Sequence, residues 1–161
     1  MEKVRLRAGA LIIKDDEVLL SRFKNEATGK PHYNLPAGGA ESSETLKEAA
    51  IREAKEEVCV DIEVGPIAFV YEYQPTKSSY IYGDTHWVDI TFHCSLKEGS
   101  IPKMPEKPDP SQTGVEWIPI EKLKDIEMYP AIAEEIISYH KGKPFKNYIE
   151  EHEIQVKKKS L

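Results

Sequence analysis

The 161-residue chain carries 22 Lys and Arg against 28 Asp and Glu, a net charge of −6, with 40% hydrophobic and 31% charged residues. That length suits one domain with a substantial core, and the composition is that of an ordinary globular chain. The acidic balance gives no electrostatic reason to expect nucleic acid or an anionic membrane as partner. The two cysteines, Cys59 and Cys94, show neither a disulfide framework nor a zinc-like spacing. The start lacks the apolar length of a signal peptide and no run approaches a membrane span, so cytoplasm is the expected location.

Residues 4–13 are β-rich, Lys14-Asp15-Asp16-Glu17 reads as a turn, and Val18-Leu19-Leu20 completes a hairpin. Arg22 and Lys24 place two cations at the end of its second strand. Residues 25–31 are polar and loop-like, bordering a cleft. Tyr33-Asn34-Leu35 is a short strand that runs into Pro36-Ala37-Gly38-Gly39, where glycine lets backbone approach a ligand closely. Ser42 or Ser43 is expected to cap the following helix, with Glu44 near its first turn, where negative charge is favoured. Leu46, Ala49, Ala50, Ile51, Ala54 and Val58 supply its buried contacts.

Residues 60–73 and 80–94 read as long strands joined through Thr76-Lys77-Ser78-Ser79. In the second strand Val88, Ile90, Phe92 and Cys94 alternate with Trp87, Asp89, Thr91 and His93. The first set is expected in the core, and the second faces either a cleft or solvent. Tyr71, Tyr73, Tyr80, Tyr82 and Trp87 serve either packing or stacking on a base. Residues 95–114 are too long and proline-rich for regular structure and form a lid or specificity loop. Residues 115–120 make the last clear strand. Pro130 fits a helix first turn, with Ile132, Ile136 and Ile137 at helical spacing through Tyr139. Beyond Gly142 comes an extension that docks, pairs with a partner or frays. His32, His86, His93, His140 and His152 show no ligand spacing.

The chain is organised around residues 35–62. Glu53, Glu56 and Glu57 are three and four apart, so they share a helix face. Taken alone this is also a solvated acidic face. Three carboxylates so close repel one another unless a cation lies between them, and a hard divalent ion with oxygen ligands, Mg²⁺ above all, is the natural occupant.

Spacing extends the pattern. Gly38 is followed after five residues by Glu44, and after seven more by Arg52-Glu53-Ala54-Lys55-Glu56-Glu57-Val58-Cys59-Val60. This order resembles the Nudix box, G-x5-E-x7-R-E-U-x-E-E-x-G-U, with U a bulky aliphatic residue. Two positions depart: Cys59 stands at the usual glycine, implying a different or strained helix ending, and Ala54 is small, implying close helix-to-sheet contact.

The resemblance implies an α/β fold, the Nudix α/β/α sandwich with a mixed central β-sheet, in a MutT-like domain over residues 1–142 followed by an extension over 143–161. It implies hydrolysis of the pyrophosphate in a nucleoside diphosphate linked to another group, using Mg²⁺ or Mn²⁺. Glu53 and Glu57 are then direct ligands, Glu56 a ligand or base, the Gly38 carbonyl part of the metal shell, Arg52 the residue that orients the acids, and Glu44 a support for the loop. Arg22 and Lys24 become substrate contacts. Glu98 becomes an extra acid from beyond the box, with Glu116 a second such candidate. Pro75, fifteen residues past Val60, points to ADP-ribose or another nucleotide sugar. A nucleoside triphosphate pyrophosphohydrolase, an isomerase and a non-catalytic nucleotide-binding module stay open, as does a homodimer; neither nucleic acid nor membrane is expected.

Overall fold

A computed structural model describes residues 3–159. Its framework is an eight-stranded mixed sheet. Strands β1 (Arg5–Lys14) and β2 (Glu17–Lys24) form the expected hairpin. Asp15 and Asp16, the two residues of its turn, both have positive φ, the twist that matches two antiparallel strands. β3 (Pro31–Asn34) and β7 (Gln112–Pro119) flank β2, while β4 (Ala37–Gly39) pairs with β1. On its other side β1 runs parallel to β6 (Trp87–Leu96), which pairs antiparallel with β5 (Ile62–Tyr73).

The period-2 pattern of β1 divides the core. Ala8, Ala10 and Ile12 face helix α1 (Leu46–Val58), whose Ala49, Ala50, Ala54 and Val58 are buried against them. Small side chains on both surfaces allow the close contact that Ala54 implied. Leu11 faces the opposite layer, where Phe69, Tyr71 and Tyr73 pack with Ile136 and Ile137 of helix α2 (Ala133–His140). Helices therefore lie on both faces of a mixed sheet, which is the expected sandwich.

Several local expectations are corrected. The cap of α1 is Thr45, whose hydroxyl accepts from Glu48 N at 3.1 Å, and not Ser42 or Ser43. Ile51 is 42% exposed instead of buried. The second long strand begins at Trp87, because residues 80–86 are used in turns after a short 3-10 helix at Pro75–Lys77. Pro130 precedes α2, with Ile132 at its N-cap. The loop after β6 wraps the end of α1: Lys103 N donates to Val58 O, and Gln112 Nε2 to Glu57 O, satisfying carbonyls that a helix end leaves free.

The C-terminal extension docks. Strand β8 (Tyr148–Glu150) adds parallel to the edge of β5, pairing Tyr71 with Ile149, and helix α3 (Glu151–Lys159) follows at once. Among the described residues no helix is long and apolar enough to cross a membrane.

Candidate active site

Arg52 is the hub of the box. Its Nε and Nη2 grip both Glu44 oxygens at 3.0 and 2.5 Å, Nη2 also donates to Gly39 O at 3.0 Å, and Nη1 reaches Glu53 at 2.8 Å and Glu56 at 3.3 Å. One planar fork thereby joins the glycine loop, the start of α1 and two acids of its later turns. The hydrogen bond from Arg52, reinforced by one from Glu41 N, holds the Glu44 carboxyl below the usual carboxylate range. The same Glu44 contact raises the Arg52 guanidinium further above its already high value.

Glu53 is buried and lies against Gly38. A Cβ built at Gly38 would meet Glu53 Oε1 at 2.1 Å, so any side chain there would displace the carboxylate. Glu57 accepts from Ala37 N at 3.3 Å, one residue earlier in the same loop. Burial, and next the charge of Glu53, push its carboxyl up to about 8. A divalent cation fits this donor set: hard oxygens, a glycine that keeps the loop backbone against Glu53, and two neighbouring acids whose repulsion a positive ion would relieve. Glu56 is more exposed, and its carboxylate accepts from Arg52 Nη1 at 3.3 Å.

Arg22 is bound by Glu116 and by the side chain and carbonyl of Thr113, across β2 and β7. Lys24 ends β2 opposite Pro31. Glu98 is exposed in the turn beyond β6. Pro75 is buried as the first residue of its short helix.

Arg7 was not singled out by the sequence reading, and Asp89 only as one member of an alternating face. Register places Gly39, Arg7, Asp89 and Tyr71 in one row across β4, β1, β6 and β5. Arg7 Nε donates to Asp89 Oδ2 at 3.3 Å, its guanidinium lies 5.9 Å from the Trp87 ring, and its charge opposes the upward shift of Glu57. Arg5, two residues earlier, lies against Gly39, where an added Cβ would sit 2.3 Å from its guanidinium. Basic residues at alternating positions of one strand, Arg5 and Arg7, were the available signal. Asp89 and Thr91 take the cleft side of their alternation, lining a cavity with Arg7, Ala37, Tyr71 and Tyr129. Tyr73, Tyr82 and Trp87 pack ring against ring beside it.

A second gathering of ligand-type atoms lies on the extension. One ligand atom from each of Glu150, His152 and Glu153 falls within 4.8 Å of the others, a set that could coordinate a divalent cation. His152 thus has acidic company that its sequence spacing did not suggest.

Such a scaffold sets a glycine loop against an acidic helix on a mixed sheet flanked by helices. The NUDIX domain family profile matches residues 3–139. This chain belongs to the Nudix family. It is 30% identical over 128 residues to "Putative nudix hydrolase 1" of Caenorhabditis elegans, covering 76% of this chain and 31% of that protein. It is 31% identical over 130 residues to the "NAD-capped RNA hydrolase NudC" of Pseudomonas entomophila, covering 81% and 42% respectively. The chain therefore spans less than half the length of these relatives. A Nudix hydrolase structure from Nitrosomonas europaea shares the fold, with a TM-score of 0.68 at 21% identity over 93% of this chain and 80% of that one.

Proposed function

We propose that this protein is a divalent-metal-dependent hydrolase that cleaves the pyrophosphate of a nucleoside diphosphate linked to a second group, with ADP-ribose or another nucleotide sugar as the leading substrate class. The observation that carries the reading is that Glu53 and Glu57 both lie against the glycine loop, Glu53 at Gly38 and Glu57 on the Ala37 N–H, with burial and then the charge of Glu53 pushing Glu57 up to about 8. The relative named for NAD-capped RNA supports a substrate with groups on both sides of the pyrophosphate, since NAD has that form.

In this reading Glu53, Glu57 and the Gly38 carbonyl hold Mg²⁺ or Mn²⁺. The bound cation supplies Lewis-acid polarisation of the phosphoryl oxygens. Arg52 keeps Glu53 and Glu56 aimed at the cleft and ties Glu44 to the loop. Glu56, more exposed and held by one 3.3 Å contact, takes the proton of the attacking water. Arg7 and Arg5 bind the phosphates, answering locally the repulsion that an overall charge of −6 imposes on an anionic substrate.

Product analysis on a panel of phosphoanhydrides with Mg²⁺ or Mn²⁺ tests this. ADP-ribose should give AMP and ribose 5-phosphate. Release of pyrophosphate from nucleoside triphosphates alone would replace this substrate class with the house-cleaning one. Tight nucleotide binding with no cleavage of any member would make the protein a binding module.

A further inference from the structure

Asp89 is an acid in the wall of a cleft proposed to receive a polyanion, and nothing in the chemistry above uses it. It stands inside β6, between Val88 and Ile90, where aspartate is a poor strand residue. A negative charge there repels the ligand unless it serves a positive one. The positive partner is Arg7, its neighbour in register across β1 and β6.

Both carboxylate oxygens are engaged on the protein side. Oδ2 accepts from Arg7 Nε at 3.3 Å, and Oδ1 accepts from the Thr91 hydroxyl at 3.5 Å. Oδ1 also rests over Gly9, where an added Cβ would lie 3.2 Å from it and 3.2 Å from the Ala37 Cβ. Gly9 pairs with both Thr91 and Ala37, so a side chain there would press on the acid and on the glycine loop together. Asp89 has 14% of its side chain exposed against 31% for Arg7, which leaves the arginine as the more accessible partner.

Arg7 is thereby fixed on two sides. Asp89 takes its Nε, and the Trp87 ring centre lies 5.9 Å from its guanidinium carbon, close enough for a cation–π contact. Among the described residues neither terminal nitrogen of Arg7 has a hydrogen bond, so the remaining N–H groups of a planar fork are free. The fork shares its cavity with Ala37, whose N–H donates to Glu57.

We propose that Asp89 is a positioning residue, which holds Arg7 by its Nε so that the two terminal nitrogens grip a phosphoryl group of the substrate as a pair. A freely rotating arginine loses rotamer entropy when it meets phosphate, and fixing it beforehand removes that cost. Asp89 does not itself touch the ligand. The ligand's class rests on the hydrolase reading, so the test uses binding.

Dissociation constants with saturating Mg²⁺ are compared for α,β-methylene-ADP, which resists cleavage between its phosphates, and adenosine, which has none. Removing an acid that only repels would tighten the binding of methylene-ADP, whereas removing a positioning residue should weaken it. Asp89→Ala should weaken it by ~5- to 10-fold and change adenosine by less than about twofold. Arg7→Ala should weaken it by ~30-fold. Adding Asp89→Ala to Arg7→Ala should weaken it no further, because the acid acts only through the arginine. Asp89→Asn keeps an acceptor for Nε, so it should bind methylene-ADP at least ~3-fold more tightly than Asp89→Ala. Asp89→Ser, too short to reach Arg7, carries the test if Asp89→Ala does not fold. Unchanged or tighter binding in the folded variant, additive losses in the double variant, or an equal loss of adenosine overturns the proposal. If no phosphoanhydride on the panel is cleaved while these affinities behave as stated, the hydrolase reading fails and this one stands.

Discussion

Two glutamate clusters lie at the two ends of one row across the sheet, and they are built on opposite plans. At the box end every acid but one has a donor from Arg52, and the contacts are redundant: Glu44 is gripped twice and Gly39 is tied in as well. At the extension end Glu151 is almost wholly buried and half-satisfied, with two phenols for company. Redundant charge-assisted bonds near the surface fix geometry at little risk, whereas a sparse buried set leaves a demand that a ligand or its neighbours must meet. Glu57 is the exception at the box end. Its side chain has one backbone donor at 3.3 Å and an acidic neighbour, so it resembles Glu151 more than it resembles Glu44.

The largest expected effect tests that exception. Glu57→Gln removes a proposed cation ligand and should lower kcat by ~10³-fold or more, about 4 kcal/mol of barrier. Stability should move the other way. With the folded carboxyl at about 8 against an ordinary 4.5, the metal-free native state holds a proton that the unfolded chain has released between those values. Metal-free wild type should therefore lose stability as pH rises from 4.5 to 8. Thermal melts should show this slope in wild type, its absence in Glu57→Gln, and its flattening by saturating Mg²⁺, which takes the place of the proton. An unchanged rate in the variant would remove Glu57 from the cation site.

A smaller effect probes the redundant end. Arg52→Lys keeps one positive charge but loses the planar fork that reaches Glu44, Gly39 and Glu53 together. The expected loss is ~10- to 100-fold in kcat and ~1–2 kcal/mol in stability, read from steady-state kinetics and denaturant unfolding. Wild-type behaviour would mean that charge alone suffices and that the fork's geometry is incidental.

How far the sequence disclosed this arrangement follows from the range of each interaction. The helix and its acids are local: three- and four-residue spacing puts Glu53, Glu56 and Glu57 on one side, and the period of β1 and β6 separates Ala8 and Phe92 from Leu11 and Thr91. Register across strands is not local. That Gly39, Arg7, Asp89 and Tyr71 share a row depends on pairings between segments up to 82 residues apart, such as Arg7 with Asp89. Arg22 shows the same limit. Its position at a strand end suggested substrate, but β7 brings Glu116 beside it, and nothing near Arg22 in the chain foretold that strand's place. The extension was equally opaque, because its short β8 has meaning only against the exposed edge of β5.

The smallest expected effect concerns how the box helix ends. Cys59 follows α1 in a left-handed conformation, φ 58° and ψ 35°, with its N–H directed at the carbonyls of Ala54 and Lys55. The geometry that glycine usually serves is kept, and the cysteine bears the crowding of its Cβ, ~1–2 kcal/mol for a left-handed residue other than glycine. Cys59→Gly relieves that strain, while the added freedom of glycine in the unfolded chain returns ~0.4–1 kcal/mol of it. The net expectation is a gain of ~0.5–1 kcal/mol, a rise of ~1–4 °C in Tm for a domain of this size, measured with the metal-free protein. Activity should stay within about twofold, because the cap lies past Glu57 and the Arg52 fork holds the acids independently of it. A loss of stability would show instead that the half-buried thiol packs well enough to outweigh its backbone, and that the helix end is held by its side chain as well as by its carbonyls.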